Sequence, residues 1–250
     1  LSGSSTSVLP AELAELGPFF TVESHAAGSA VSAPWLVMSD LVENPALLRD
    51  RVSRVRDRLA EGAGRQADEV ETRVAASVTH LGIVARLVSP ALATAAITGV
   101  PLDVGLATTR WQPVLGGAVP LSVREPLPHP ASTHAEPEEV AGAFAERVLE
   151  GPVRDLVEAT RPFSVSARVL WGNVASAVNG ATTMISTAGP AWSARAGLLA
   201  SHLLNRPPLL GTSTQRPDGR FQRRSCCLIY RVAPDGAGAV CGDCVLTDAR

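Results

Sequence analysis

Every cysteine of the chain falls in one stretch near its C-terminal end. Cys226 and Cys227 are adjacent, and Cys241 and Cys244 are spaced C-x-x-C. Four thiols in this pattern admit four chemistries. Disulfides are the first. Neighbouring Cα atoms lie about 3.8 Å apart, short of the roughly 4.4 Å at which disulfides begin. A Cys226–Cys227 bridge would be strained, while cross-pairing to Cys241 and Cys244 is geometrically open. The second is a single zinc ion, for which C-x-x-C is the usual half-site. Adjacent residues of an extended chain point to opposite sides, so both reach one ion only across a bend. The third is a thioredoxin-like thiol pair, which needs a helix behind its first cysteine, and VLTDAR after Cys244 offers none. The fourth is an iron–sulfur cluster, for which four thiolates are a complete ligand set. A two-iron group spreads its terminal sites over two metals and tolerates an adjacent pair better than one ion does.

Composition narrows the setting. The chain has 250 residues, 46% of them apolar, and a net charge of −2. That suits a folded core and argues against nucleic-acid binding through bulk positive charge. All 22 basic residues are Arg, which reads as coding bias. LSGSSTSVLP at the start lacks the basic and apolar regions of a secretory signal. The weakly charged run from Leu87 to Leu102 is short for a bilayer and carries two prolines. The expectation is a protein without a transmembrane segment in the cytoplasm, its membrane-facing side included. Clustered cysteines there are more often metal or redox groups than structural bridges.

The elements that must position the cysteines read mainly as helices with a small β component, an α+β chain. Asn44 and Pro45 mark an N-cap and first turn. Leu48, Val52, Val55 and Leu59 follow at helical spacing, up to Gly62. Val70, Val74, Val78, Leu81, Val84 and Val88 predict a second helix, kinked or ended by Pro90. A short hairpin is expected around Gly116–Gly117, then a Pro-rich loop. Helices are expected again from Pro137 to Gly151, from Pro152, from Ser166 to Ala181, and from Pro190 to Asn205. RPPLLGTSTQRPDGR reads as a polar linker. Three regions result: 1–130, helical with a short hairpin; 131–215, helical; and 216–250, the cysteine tail. In the tail, LIYRV reads as a strand and PDGAG as a turn. Such a cysteine hairpin would bring C-C beside C-x-x-C, with Gly236, Gly238 and Gly242 easing the backbone.

RRSCCLIYR…CGDC resembles the C-terminal signature of FhuF-type ferric-siderophore reductases. The family's pattern is C-C, a spacer, then C-x-x-C. The resemblance implies a [2Fe-2S] cluster held by Cys226, Cys227, Cys241 and Cys244, and it extends to Arg223, Arg224, Tyr230 and Arg231. LWGNVASAVNGA (Leu170 to Ala181) is similar to a helix of the family with a Trp and an Asn. Trp171 and Asn173 therefore become candidates for a substrate-docking surface. The spacer from Cys227 to Cys241 is 13 residues, longer than the family's, a difference a turn absorbs at small entropic cost.

The implied function is one-electron reduction of siderophore-bound Fe(III), with a hydroxamate-type siderophore as substrate and an electron-donor protein as partner. Hard oxygen donors hold Fe(III) tightly and the softer Fe(II) weakly, so reduction releases the metal. Arg216, Arg220, Arg223, Arg224 and Arg231 share a 16-residue stretch whose only acid is Asp218. Guanidinium groups beside a net-negative cluster favour its reduced state and could hold an anionic siderophore or an acidic donor. The alternative is a non-enzymatic iron–sulfur electron carrier or redox sensor. His25, His80, His129, His134 and His202 show no metal spacing. GAGRQA (Gly62 to Ala67) follows a helix, so it fails the context of a dinucleotide loop. No flavin or nicotinamide motif is visible, and no catalytic residue beyond the cluster is expected.

Overall fold

A computed structural model describes residues 10–125, 135–233 and 240–246. The loop bearing His129 and His134 and the expected PDGAG turn lie outside the described residues. The helices are α1 (Glu12–Glu15), α2 (Asp40–Glu43), α3 (Pro45–Gly62), α4 (Thr72–Thr98), α5 (Pro137–Phe144), α6 (Arg154–Thr160), α7 (Ala167–Ala188) and α8 (Pro190–Leu204). The strands are β1 (Glu23–His25), β2 (Leu36–Val37), β3 (Arg110–Trp111), β4 (Leu121–Arg124), β5 (Ser213–Gln215) and β6 (Phe221–Arg223). The protein is mainly α with small sheets. One hydrophobic cluster runs from Leu13 to Leu209 and crosses the division expected near residue 130.

Local chemistry accounts for several helix ends. The Asn44 side chain accepts from the Ala46 N–H, with Pro45 in the first turn of α3. Ser166 caps α7 by accepting from the Val169 N–H. Gly99, at φ +82°, closes α4 in the left-handed conformation that favours glycine. A π-helical segment, Ala145–Val153, joins α5 to α6 and breaks at Gly151. This is where the sequence predicts a stop and a restart.

Of the two expected outcomes at Pro90, a kink or an end, the helix does not take the second. The helix continues eight residues further, to Thr98. A proline inside a helix costs about 3 kcal/mol. Val84, Leu87, Val88 and Leu92 around it are fully buried, each worth about 1.5–3 kcal/mol, so burial outweighs the defect. α4 is also the one described helix long and apolar enough to cross a membrane by length and composition, and most of it is buried inside the protein. It packs as the central core helix. Arg86, 1% exposed, anchors α4 by donating to the carbonyls of Val119 (2.6 Å), Thr21 (2.8 Å) and Phe19.

The expected hairpin at Gly116–Gly117 is present as β3–β4, with both glycines at positive φ. It belongs to a four-stranded sheet ordered β1-β4-β3-β2, in which β1 runs parallel to β4. β1 and β2 are two or three residues long, too short for a period to show. The polar linker is corrected as well. Leu209 is fully buried, and β5 and β6 pair antiparallel around a turn at Asp218 and Gly219 (φ +81°). LIYRV is not a strand, since Ile229–Val232 is a short 3-10 helix.

α4 and α7 pack along each other through a seam that is partly polar. Asn173 of α7 donates from Nδ2 to the Ser77 carbonyl (3.0 Å), and it approaches His80 Nδ1 at 3.4 Å. Burial, with Arg223 second, holds the His80 imidazole down at about 3. An unfolded chain binds this proton near pH 6.5. The folded value is the lower one, so the unfolded state gains the proton as pH drops below about 6.5, and stability falls. From pH 7 to pH 5 the expected loss is about 2 kcal/mol. Urea unfolding at both pH values should show this slope in the native protein and a flatter one in His80→Gln.

Candidate functional site

The cysteine segment is built as an extension of the β5–β6 hairpin. β6 delivers Arg223, whose backbone N–H donates to the Asp243 carbonyl (3.0 Å). Gln222 Nε2 donates to the Cys244 carbonyl (3.3 Å). The C-x-x-C turn therefore lies alongside the residues that lead into C-C. The expected convergence of the two cysteine pairs is present, with β6 and the following turns taking the place of the expected strand.

The thiols of Cys226, Cys227 and Cys241 are linked to one another, and no disulfide joins the four cysteines. Cys227 accepts hydrogen bonds from the thiols of Cys226 and Cys241. These bonds drive the Cys227 thiol far below its ordinary value. Donating them pushes Cys226 and Cys241 well above theirs. Cys227 and Cys244 are 3% exposed, whereas Cys226 and Cys241 are half-buried at the surface. Backbone N–H groups serve three sulfurs: Leu228 donates to Cys226 Sγ (3.3 Å), Leu246 to Cys244 Sγ (3.2 Å) and Ile229 to Cys227. Leu228 takes φ +72° to do so, a left-handed conformation costing about 1–2 kcal/mol in a non-glycine residue.

Arg223 lies beneath this set and is 1% exposed. Burial lowers its pKa, opposed by the neighbouring charges of Cys227, Cys241, Asp243 and Cys226. Its Nη2 donates to the Val169 carbonyl (3.1 Å), while Nε and Nη1 are buried without a partner among the described residues. Unmet buried donors cost about 1–3 kcal/mol each, and more when charged. Anionic sulfur is the acceptor that this arrangement lacks. Two unmet guanidinium nitrogens, four thiols and three N–H···S bonds fit a net-negative four-thiolate group. Among the described residues, no set of three or more His, Cys, Asp and Glu side chains is arranged to hold a single ion. A [2Fe-2S] cluster, with its terminal sites shared between two irons, does not require one.

The remaining predicted residues part company. Arg224 is exposed, and its backbone is what holds the segment: its N–H donates to the Thr212 carbonyl (2.9 Å), and its carbonyl accepts from Arg168 (3.0 Å). Arg231 is ion-paired with Glu71 at 2.9 Å, just before α4. Much of its charge is therefore compensated locally. Trp171 packs half-buried against the core, with the Arg154 guanidinium 5.8 Å over its ring. Asn173 is fully buried. It cannot form part of a docking surface, because the α4–α7 interface covers it.

Sequence reasoning missed the supports beneath the cysteines. Ser77 of α4 donates to the Cys227 carbonyl (2.9 Å). Asn179 of α7 donates to Asp243 Oδ1 (3.2 Å). Ser225 donates to the Arg168 carbonyl (3.1 Å), and Arg65 to the Val232 carbonyl (2.9 Å). Gly172 is the close-approach point. A Cβ there would lie 2.2 Å from Ser225 Oγ and 3.0 Å from Arg223 Nη2. A glycine inside a helix, where alanine is favoured by about 1 kcal/mol, was the available signal.

Gly172→Ala should therefore push Arg223 and Ser225 away and lower iron content per purified chain. Gly180→Ala, on the same helix with nothing within 4 Å of the added methyl, should keep full iron. It should also gain about 0.5–1 kcal/mol of stability. Iron analysis and thermal melts of the two variants check this.

Comparison with known proteins bears on the same segment. Residues 223–246 match the family described as the FhuF 2Fe-2S C-terminal domain. No curated protein matches the chain, and no solved structure matches it. The matched residues begin at the buried arginine and contain all four cysteines. The chain is thus of the FhuF type at its C-terminal end, and its cofactor is a [2Fe-2S] cluster.

Proposed function

We propose that the protein is a ferric-siderophore reductase whose cluster is held by Cys226, Cys227, Cys241 and Cys244. The observation that carries this reading is the placement of Arg223 beside the linked thiols of Cys226, Cys227 and Cys241, two of them half-exposed. Such a cluster, when bound, takes up and passes on one electron at a time. Arg223 supplies a fixed positive charge that favours the extra electron, and its burial shields that charge from solvent. Cys226 and Cys241 mark the side from which a docked complex is reached.

The substrate is an Fe(III) complex of oxygen donors, of hydroxamate type. One electron arrives from a donor protein and converts Fe(III) to Fe(II), for which the same oxygen cage is a weak ligand. The siderophore itself keeps all its bonds. Exposed Arg224, with Arg168 beside it, offers guanidinium groups to an anionic siderophore or an acidic donor. The setting is the cytoplasm, where released Fe(II) is trapped.

The test is anaerobic. Protein bleached by dithionite and freed of excess reductant is mixed with a ferric hydroxamate and a ferrous-specific chelator. The proposal expects the visible spectrum to recover as one Fe(II) appears per reduced chain. If no ferric chelate reoxidises the reduced protein, the carrier or sensor reading replaces it.

A further inference from the structure

Asn173 and Ser77 are fully buried polar residues that a docking role does not use. Ser77 Oγ donates to the carbonyl of Cys227 across 150 residues of sequence (2.9 Å). Asn173 Nδ2 lies 3.2 Å from the same Oγ and 3.0 Å from the Ser77 carbonyl. The carbonyl can only accept, so it fixes which end of the amide faces Ser77. With Asn173 donating to it, the Ser77 hydroxyl has its proton directed at Cys227.

The Cys227 carbonyl belongs to the same peptide unit as the Leu228 N–H, and that N–H donates to Cys226 Sγ (3.3 Å). One rigid plane is therefore held at both ends, by Ser77 on one side and by a sulfur on the other. Leu228 sits at φ +72°, against its own preference. Without the Ser77 hydroxyl, the peptide can rotate to relieve Leu228, and the N–H turns away from Cys226.

We propose that Ser77 and Asn173 are positioning residues that clamp the Cys227–Leu228 peptide so that its N–H stays on the Cys226 sulfur, raising the cluster's reduction potential. A hydrogen bond to a ligand sulfur stabilises the more negative, reduced state. The effect runs from Asn173 through Ser77, so the two act in series. The proposal rests on Cys226 being a cluster ligand.

The experiment is a redox titration of the whole loaded protein and of Ser77→Ala, Asn173→Ala and the double variant. It is read together with the hyperfine coupling of exchangeable protons to the reduced cluster. Ser77→Ala should lower the potential and lose one strongly coupled exchangeable proton. Asn173→Ala should lower the potential less. The double variant should match Ser77→Ala, because residues acting in series are not additive. Unchanged potentials and proton couplings in both single variants, even with lowered melting temperatures, would reduce the pair to packing and overturn the proposal, as would additive shifts. A cluster that persists in Cys226→Ser with an unaltered spectrum would refute the ligand assignment separately. No siderophore enters the measurement, so its outcome is independent of the reductase reading.

Discussion

A buried guanidinium facing three thiols and a carboxylate is the constraint on which the rest of the structure depends. Arg223 is almost without solvent contact, and two of its nitrogens find no acceptor among the described residues. Burying a cation without compensation costs several kcal/mol. The compensation available is Asp243 and the sulfurs of Cys226, Cys227 and Cys241. Charge on the thiols and charge on Arg223 are thus each costly alone and mutually stabilising together.

Holding that balance requires a rigid floor, and α4 and α7 supply it. Their contacts with the cysteine segment run mostly to its backbone: the carbonyls of Cys227, Arg224 and Val232 all accept from side chains of the helical body. Backbone anchoring fixes where the thiols point without occupying the sulfurs. Gly172 lets Arg223 and Ser225 lie close against α7, and the buried Ser77–Asn173 contact keeps the two helices in step. The long apolar α4 gives this floor its stability, since its buried Val and Leu side chains outweigh the defect at Pro90.

Much of this was legible in the sequence, and the losses have physical causes. The cysteines and the helical spacing of α3 stand out because they are local patterns. The helix runs on past Pro90 because the burial of the side chains around it overrides local propensity, which the sequence pattern alone does not show. LIYRV has strand composition, but the left-handed turn at Leu228, forced by the approach to Cys226, sends it into a 3-10 helix. Asn173 was found by its resemblance and misplaced. A polar residue on a helix reads as exposed until its partner is known, and here that partner is Ser77, 96 positions away. Ser77 was silent for the same reason, and Gly172 showed only as a glycine inside a helix, since the importance of both is a tertiary distance.

The central claim is that the charge on Arg223 stabilises the reduced cluster. The direct measurement is the reduction potential of Arg223→Gln and Arg223→Lys, each loaded to the native iron and sulfide content. A unit charge several ångströms away at an effective dielectric near 20 is worth about 2 kcal/mol. The account predicts a clear drop for Arg223→Gln and a smaller change for Arg223→Lys, which keeps the charge. A fully loaded Arg223→Gln protein with the native potential would contradict it.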